Sequence, residues 1–71
     1  MSDTSIQERP PHQQRVIAER EARFAEYERL RAFVNGPVFA TLSGEERGLL
    51  RAQVKVMGEF VNILDRRISL F

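Results

Sequence analysis

A chain of 71 residues with a mass of 8.2 kDa holds at most one domain, and chains this short bury a smaller share of their surface than larger ones. Eleven basic residues against ten acidic ones give a net charge of +1, too balanced for the electrostatic footprint of a protein that coats DNA or RNA. With no cysteine and one histidine, neither a disulfide nor an obvious structural metal is available to staple a thin core, so self-association is the remaining common route to stability.

Residues 1–11 are polar, without period, and end in Pro10-Pro11; they read as an N-terminal arm, distinct from a helical-hairpin domain over residues 12–71. The start Met1-Ser2-Asp3-Thr4 lacks the character of a signal sequence, and no run approaches the roughly 20 apolar residues of a membrane span. The expectation is therefore a cytosolic protein without membrane contact.

From His12 to about Asn35 the chain is rich in Glu, Arg and Ala and free of Pro and Gly. It offers helix-spaced ion pairs, Glu19 with Arg23 and Glu28 with Arg31, and predicts a first helix. Its best apolar stripe is Ile17, Arg20, Phe24, Tyr27, Arg31 and Val34, with Leu30 alongside. Asn35-Gly36-Pro37 predicts a left-handed stop followed by a residue that cannot extend a helix. Val38 to Leu42 form an apolar connector, and Ser43-Gly44-Glu45-Glu46 fits a capping box that opens a second helix running toward Ile68. The length of the connector allows the helices to fold back antiparallel.

The second helix carries two apolar stripes. Steps of four and three from Leu50 reach Val54, Met57, Val61, Leu64, Ile68 and Phe71 without a polar break, as in a coiled-coil seam. The same count from Leu49 reaches Gln53, Val56, Phe60, Ile63, Arg67 and Leu70. One narrow stripe on the first helix cannot cover both, so the second seam is expected to stay wet in a monomer unless the connector and the arm fold over it. The expected fold is all-α, an antiparallel two-helix hairpin with an N-terminal arm that assembles into a helical oligomer. Gly48 and Gly58 lie inside the second helix; Gly58 is either a close-approach point between subunits or a tolerated surface position.

No stretch matches a metalloprotease helix, a phosphate-cradling loop, a calcium loop or a nucleophile elbow, so neither an enzyme nor a cofactor or metal site is expected. Ten of the eleven basic residues are arginine, which suits bidentate phosphate or carboxylate recognition but equally reflects codon bias and helix propensity. Asp65-Arg66-Arg67 puts two guanidiniums about 100° apart near the end of the second helix. Arg67, lying on the second seam, either pairs with Glu59 or Asp65 of a neighbouring subunit, or the negative end of a helix dipole, or holds an anionic ligand between subunits. Gln53 is either a register-setting polar residue or a hydrogen-bonder to a base edge. Tyr27 and Phe60 read as core, or as rings on which a nucleobase stacks beside arginine. His12, alone at a helix start, reads as a cap or surface residue before a base or ligand.

The stretch Pro11-His12-Gln13-Gln14-Arg15-Val16, then Phe33, and the run from Leu50-Arg51-Ala52-Gln53 through Met57 and Phe60 to Ile63-Leu64-Asp65-Arg66-Arg67-Ile68 resemble the helical-hairpin domain shared by anti-CBASS and type 1 anti-Thoeris proteins of bacteriophages. The resemblance implies a non-catalytic sponge, a homo-oligomer and often a hexamer, that sequesters cyclic oligonucleotides or cyclic ADP-ribose derivatives between subunits in the bacterial host. It further implies phosphate-binding roles for Arg66 and Arg67, and lesser ligand-binding roles for His12, Gln13 and Arg15. The chain departs from the anti-CBASS pattern in having Glu8-Arg9-Pro10-Pro11 where those proteins carry a glycine-tyrosine-arginine motif before the first helix. Apart from the resemblance, the same apolar face suits a structural or adaptor hairpin gripping a helix of another protein.

Overall fold

The computed structural model describes residues 9–71, so most of the expected arm, residues 1–8, lies outside the described residues. Two long helices, α1 (Pro11–Val34) and α2 (Gly44–Ser69), are joined by a connector holding one 3-10 turn at Phe39–Thr41. They lie antiparallel: Arg20 stands opposite Asp65, and Tyr27, seven residues further along α1, meets Gly58, seven residues back along α2.

α1 starts at Pro11 itself, because proline at the first helical position brings a preset φ and lacks only an N–H that would find no intrahelical partner. Pro10 precedes it in extended backbone and accepts hydrogen bonds from the amides of Gln13 and Gln14 at 2.9 and 3.1 Å. The other end of α1 differs from expectation, since no described residue adopts positive φ. Asn35 stays near the helical region at φ −98°, its amide donates to the Ala32 carbonyl at 3.2 Å and that of Gly36 to the Phe33 carbonyl at 3.0 Å, and the Asn35 side chain donates to the Arg31 carbonyl at 2.9 Å. The last carbonyls are thus satisfied by tightening the final turn, and Pro37 then bars continuation.

The start of α2 follows the serine half of the expected capping box: the Glu46 amide donates to Ser43 Oγ at 3.1 Å, and Glu45 and Glu46 complement the positive end of the helix dipole, whereas no return bond from the Ser43 amide to the Glu46 carboxylate forms among the described residues. Inside the connector Phe39 is buried, edge-on to Phe33 at 6.4 Å between ring centroids, with the Arg51 guanidinium 5.1 Å from its own ring. The connector caps the closed end of the hairpin and leaves the second seam uncovered.

The core is small. Among the described residues Val16, Phe39, Val61 and Leu64 are its buried apolar members, and of these only Leu64 is fully enclosed, at 0 % exposure. The seam from Leu50 through Val54, Met57, Val61, Leu64 and Ile68 faces α1, as the position count predicts. On α1 the inward stripe is rotated from the expected one. Val16 is buried where Ile17 was expected to lead, Arg20, Arg23, Tyr27, Leu30 and Val34 continue it, and Phe24 and Arg31 are exposed. The reason is that α1 is barely amphipathic, so α2, with its strongly one-sided face, sets the rotation.

Candidate functional site

Three features of the hairpin bear on binding: an uncovered apolar face, an open groove beside it, and a pair of exposed arginines at the end of α2. The face is the second seam. Leu49 is 65 % and Leu70 85 % exposed, with Val56, Phe60 and Ile63 between them also open to solvent. Gln53 and Arg67 interrupt this face, and both are exposed.

The groove, about 430 Å³, lies between the helices toward their closed end and is lined by Glu26, Arg29, Leu30, Phe33, Gln53 and Met57. Leu30, Phe33 and Met57 supply the apolar part of its lining, and Arg29 and Gln53 supply hydrogen-bonding side chains. Glu26 is already held in an ion pair by Arg23, which offsets the one negative charge in the lining.

Arg66 and Arg67 occupy the last turn of α2, where cations favour the negative end of the helix dipole. Neither side chain forms a hydrogen bond or ion pair among the described residues. Asp65 does: it accepts from Arg20 of the same chain, at 2.7 Å from Nε and 3.5 Å from Nη2. That hydrogen bond, partly opposed by desolvation, raises the Arg20 guanidinium further above its ordinary range. Asp65 therefore closes the open end of the hairpin, and it is Arg20 that takes the carboxylate considered for Arg67.

The remaining expected site residues divide. Tyr27 is half-buried, its ring edge against Gly58 and its face 5.9 Å from the Arg31 guanidinium, with Phe24 at 6.3 Å. This is its structural role, and Gly58 is the close-approach point for that ring within one chain, where an approach between subunits was one of the expectations. Phe60 is on the open face. His12 and Arg15 are exposed on the first turns of α1, and Gln13 accepts a long hydrogen bond from Arg9 at 3.5 Å. Of the expected helix pairs, Glu28 with Arg31 forms at 3.5 Å, whereas Arg23 turns from Glu19 to Glu26.

A single protomer does not gather these residues. Gln53 and Arg67 lie fourteen residues apart on one helix, about 21 Å at 1.5 Å per residue. His12, Gln13 and Arg15 lie at the open end with Arg66 and Arg67, far from the groove. Sequence reading missed Arg29 and the groove it lines; the available signal was the helix-spaced row Glu26, Arg29, Leu30 and Phe33, two of them apolar, facing Gln53 and Met57.

The described residues contain no group of three His, Cys, Asp or Glu side chains able to hold a metal ion, and no helix long and apolar enough to cross a membrane. Fold and site together define a two-helix hairpin of the binding kind, with surfaces presented for a partner or ligand. Residues 10–70 match the family model described as Sequestin, and the chain belongs to that family, a sequestering family of the sponge type. This agrees with the resemblance to the anti-CBASS and anti-Thoeris hairpins. No curated protein and no solved structure matches the chain.

Proposed function

We propose that the protein is a phage anti-defence sponge: a homo-oligomer, hexameric by the family resemblance, that takes cyclic nucleotide immune signals out of the host cytoplasm without breaking a bond. Residues 12–71 form the sequestering domain and residues 1–11 an appended arm. The observation that carries this reading is the combination, in a Sequestin-family chain, of an uncovered seam on α2 with two arginines, Arg66 and Arg67, that have no carboxylate partner among the described residues of their protomer. Covering what Leu49, Val56, Phe60, Ile63 and Leu70 expose removes about three side chains' worth of apolar surface, on the order of 4 to 9 kcal/mol before the costs of association. Arg66 and Arg67 supply guanidinium forks for phosphate, and Gln53 and Phe60 on the same face supply an amide and a ring for a base. His12, Gln13 and Arg15 extend the cationic open end.

The test is a thermal-shift screen of the purified protein against cyclic di- and trinucleotides and cyclic ADP-ribose isomers, with the native mass measured in parallel. A large shift on one class, lost in Arg67→Ala and reduced in Arg66→Ala, is expected, together with a defined homo-oligomer. A flat response across the panel overturns the reading. A monomer that forms a defined heteromer with another protein instead favours the adaptor alternative, for which the same exposed seam is the motivating observation.

A further inference from the structure

Three arginines among the described residues lie against aromatic rings. The Arg20 guanidinium stands 4.6 Å from the centre of the Phe24 ring, Arg31 5.9 Å from that of Tyr27 and Arg51 5.1 Å from that of Phe39. The first two also hold carboxylates: Arg20 pairs with Asp65 at 2.7 Å and Glu21 at 3.4 Å, and Arg31 with Glu28 at 3.5 Å. Arg51, exposed on α2, forms no ion pair or hydrogen bond with any described residue. A guanidinium that lays its face on a ring keeps the donors on its edge available, and the ring holds them in place. In the first two arrangements a carboxylate of the chain takes those donors. In the third, the described residues supply the ring and the cation but no anion.

Arg47 brings a second guanidinium to the same end of the hairpin. It precedes Arg51 by four residues, about 6 Å along the helix axis and about 40° around it. Both side chains run toward the start of α2. Arg51 reaches the connector ring of Phe39, and Arg47 turns back over the first turn, where its Nη2 lies 3.9 Å from the place a Cβ on Gly44 would occupy. The Arg47 Nε is enclosed and meets no acceptor. A cationic donor shut off without an acceptor is costly, and the positive end of the helix dipole adds to the cost. Glu45 and Glu46, in the same turn, are set about 160° and about 100° around the helix from Arg47 and bond neither arginine.

We infer that Arg47 and Arg51 form an anion site at the closed end of the hairpin, and that its occupant is a phosphomonoester group. Two guanidiniums with no carboxylate between them match a group with two negative charges, and the terminal oxygens of a phosphomonoester meet two forks set one turn apart. A carboxylate or a phosphodiester brings one charge only. Arg51 is exposed, which leaves room for the esterified part of the ligand. This site is separate from the arginines at the other end of α2, since Arg51 and Arg66 stand fifteen residues apart, about 22 Å. Cyclic oligonucleotides carry phosphodiesters throughout, so the site takes a different class of ligand and does not rest on the sequestering reading.

The probe is methyl phosphate, titrated into the isotope-labelled full chain at constant ionic strength while the arginine Nε–Hε signals are followed by NMR. Saturable movement of the Arg47 and Arg51 signals is expected, with those of Arg29, Arg66 and Arg67 moving far less. Arg47→Gln and Arg51→Gln, with the fold checked by circular dichroism, are each expected to weaken binding about tenfold through loss of a charge-assisted hydrogen bond. Arg51→Lys keeps the charge but loses the stacked, planar fork, so it is expected to behave as Arg51→Gln does; undiminished affinity in that variant overturns the role of the ring. Equal binding of acetate or dimethyl phosphate, or binding of inorganic phosphate with no response to methyl phosphate, overturns the assignment of the ligand. Movement of all arginine signals together without saturation, as a bulk anion produces, overturns the site.

Discussion

Replacing Leu64 by alanine tests the packing of the hairpin at its deepest point. Leu64 is the only fully enclosed side chain among the described residues, between Val61 and Ile68 on the α1-facing seam of α2. Removing its isobutyl end takes away about three methylene equivalents at ~0.8 kcal/mol each, and the rigid neighbours leave a cavity that adds to the loss, for a total of about 3 kcal/mol. In a domain of this size such a loss lowers the melting midpoint by about 12 to 24 °C. The assay is thermal and urea unfolding followed by far-ultraviolet circular dichroism at two protein concentrations.

Ile63→Ala, one residue earlier and more than half exposed in the protomer, is the internal control. Its midpoint is expected to change little at concentrations where the protein is monomeric and to fall at concentrations where α2 is paired. A Leu64→Ala cost below about 1 kcal/mol, or equal costs for both variants at every concentration, would refute the assignment of the two faces of α2.

Three further substitutions follow from local geometry. Gly48 faces open space, so Gly48→Ala is expected to stabilise by about 0.8 to 1 kcal/mol through helix propensity; a Cβ on Gly58 would come 3.1 Å from the Tyr27 ring, so Gly58→Ala is expected to gain much less, measured as the difference in urea midpoints. Ser43→Ala removes the acceptor for the Glu46 amide and is expected to cost about 1 kcal/mol, with faster exchange of that amide proton by NMR.

The two helices, the connector and the capping serine were legible in the sequence because each rests on local chemistry: an uninterrupted run of helix formers after the proline pair, Asn35-Gly36-Pro37 after it, Ser43 three residues before Glu46; the start of α1 falls at Pro11, one residue before the expected His12. The division of α2 into a covered and an uncovered face was legible too, because its periodicity is strong. The inward stripe of α1 was not, since its arginines and glutamates nearly surround it and burial there is decided by what α2 presents. The same holds for Asp65, whose partner Arg20 lies 45 residues away, and for Gly58, whose meaning depends on a tyrosine from the other helix. The groove is a product of two helices together; Gln53 was identified as a polar interruption, but Arg29 looked like any other surface arginine on α1.

The position of the core along the hairpin has a kinetic consequence. Phe33 and Phe39 close a short loop at the connector, whereas Val16, Val61 and Leu64 are buried in the half of the hairpin toward the open end, after most of the two helices has been brought together. Closure entropy rises only slowly with loop length, so the helices can zip from the turn outward, each layer adding little to the cost of the one before. The best-packed layer forms late on such a route and therefore contributes little to the rate of folding. Its contribution falls on the reverse step: the buried cluster far from the turn holds the chain ends together and acts as a brake on unfolding, which sets the lifetime of the folded hairpin.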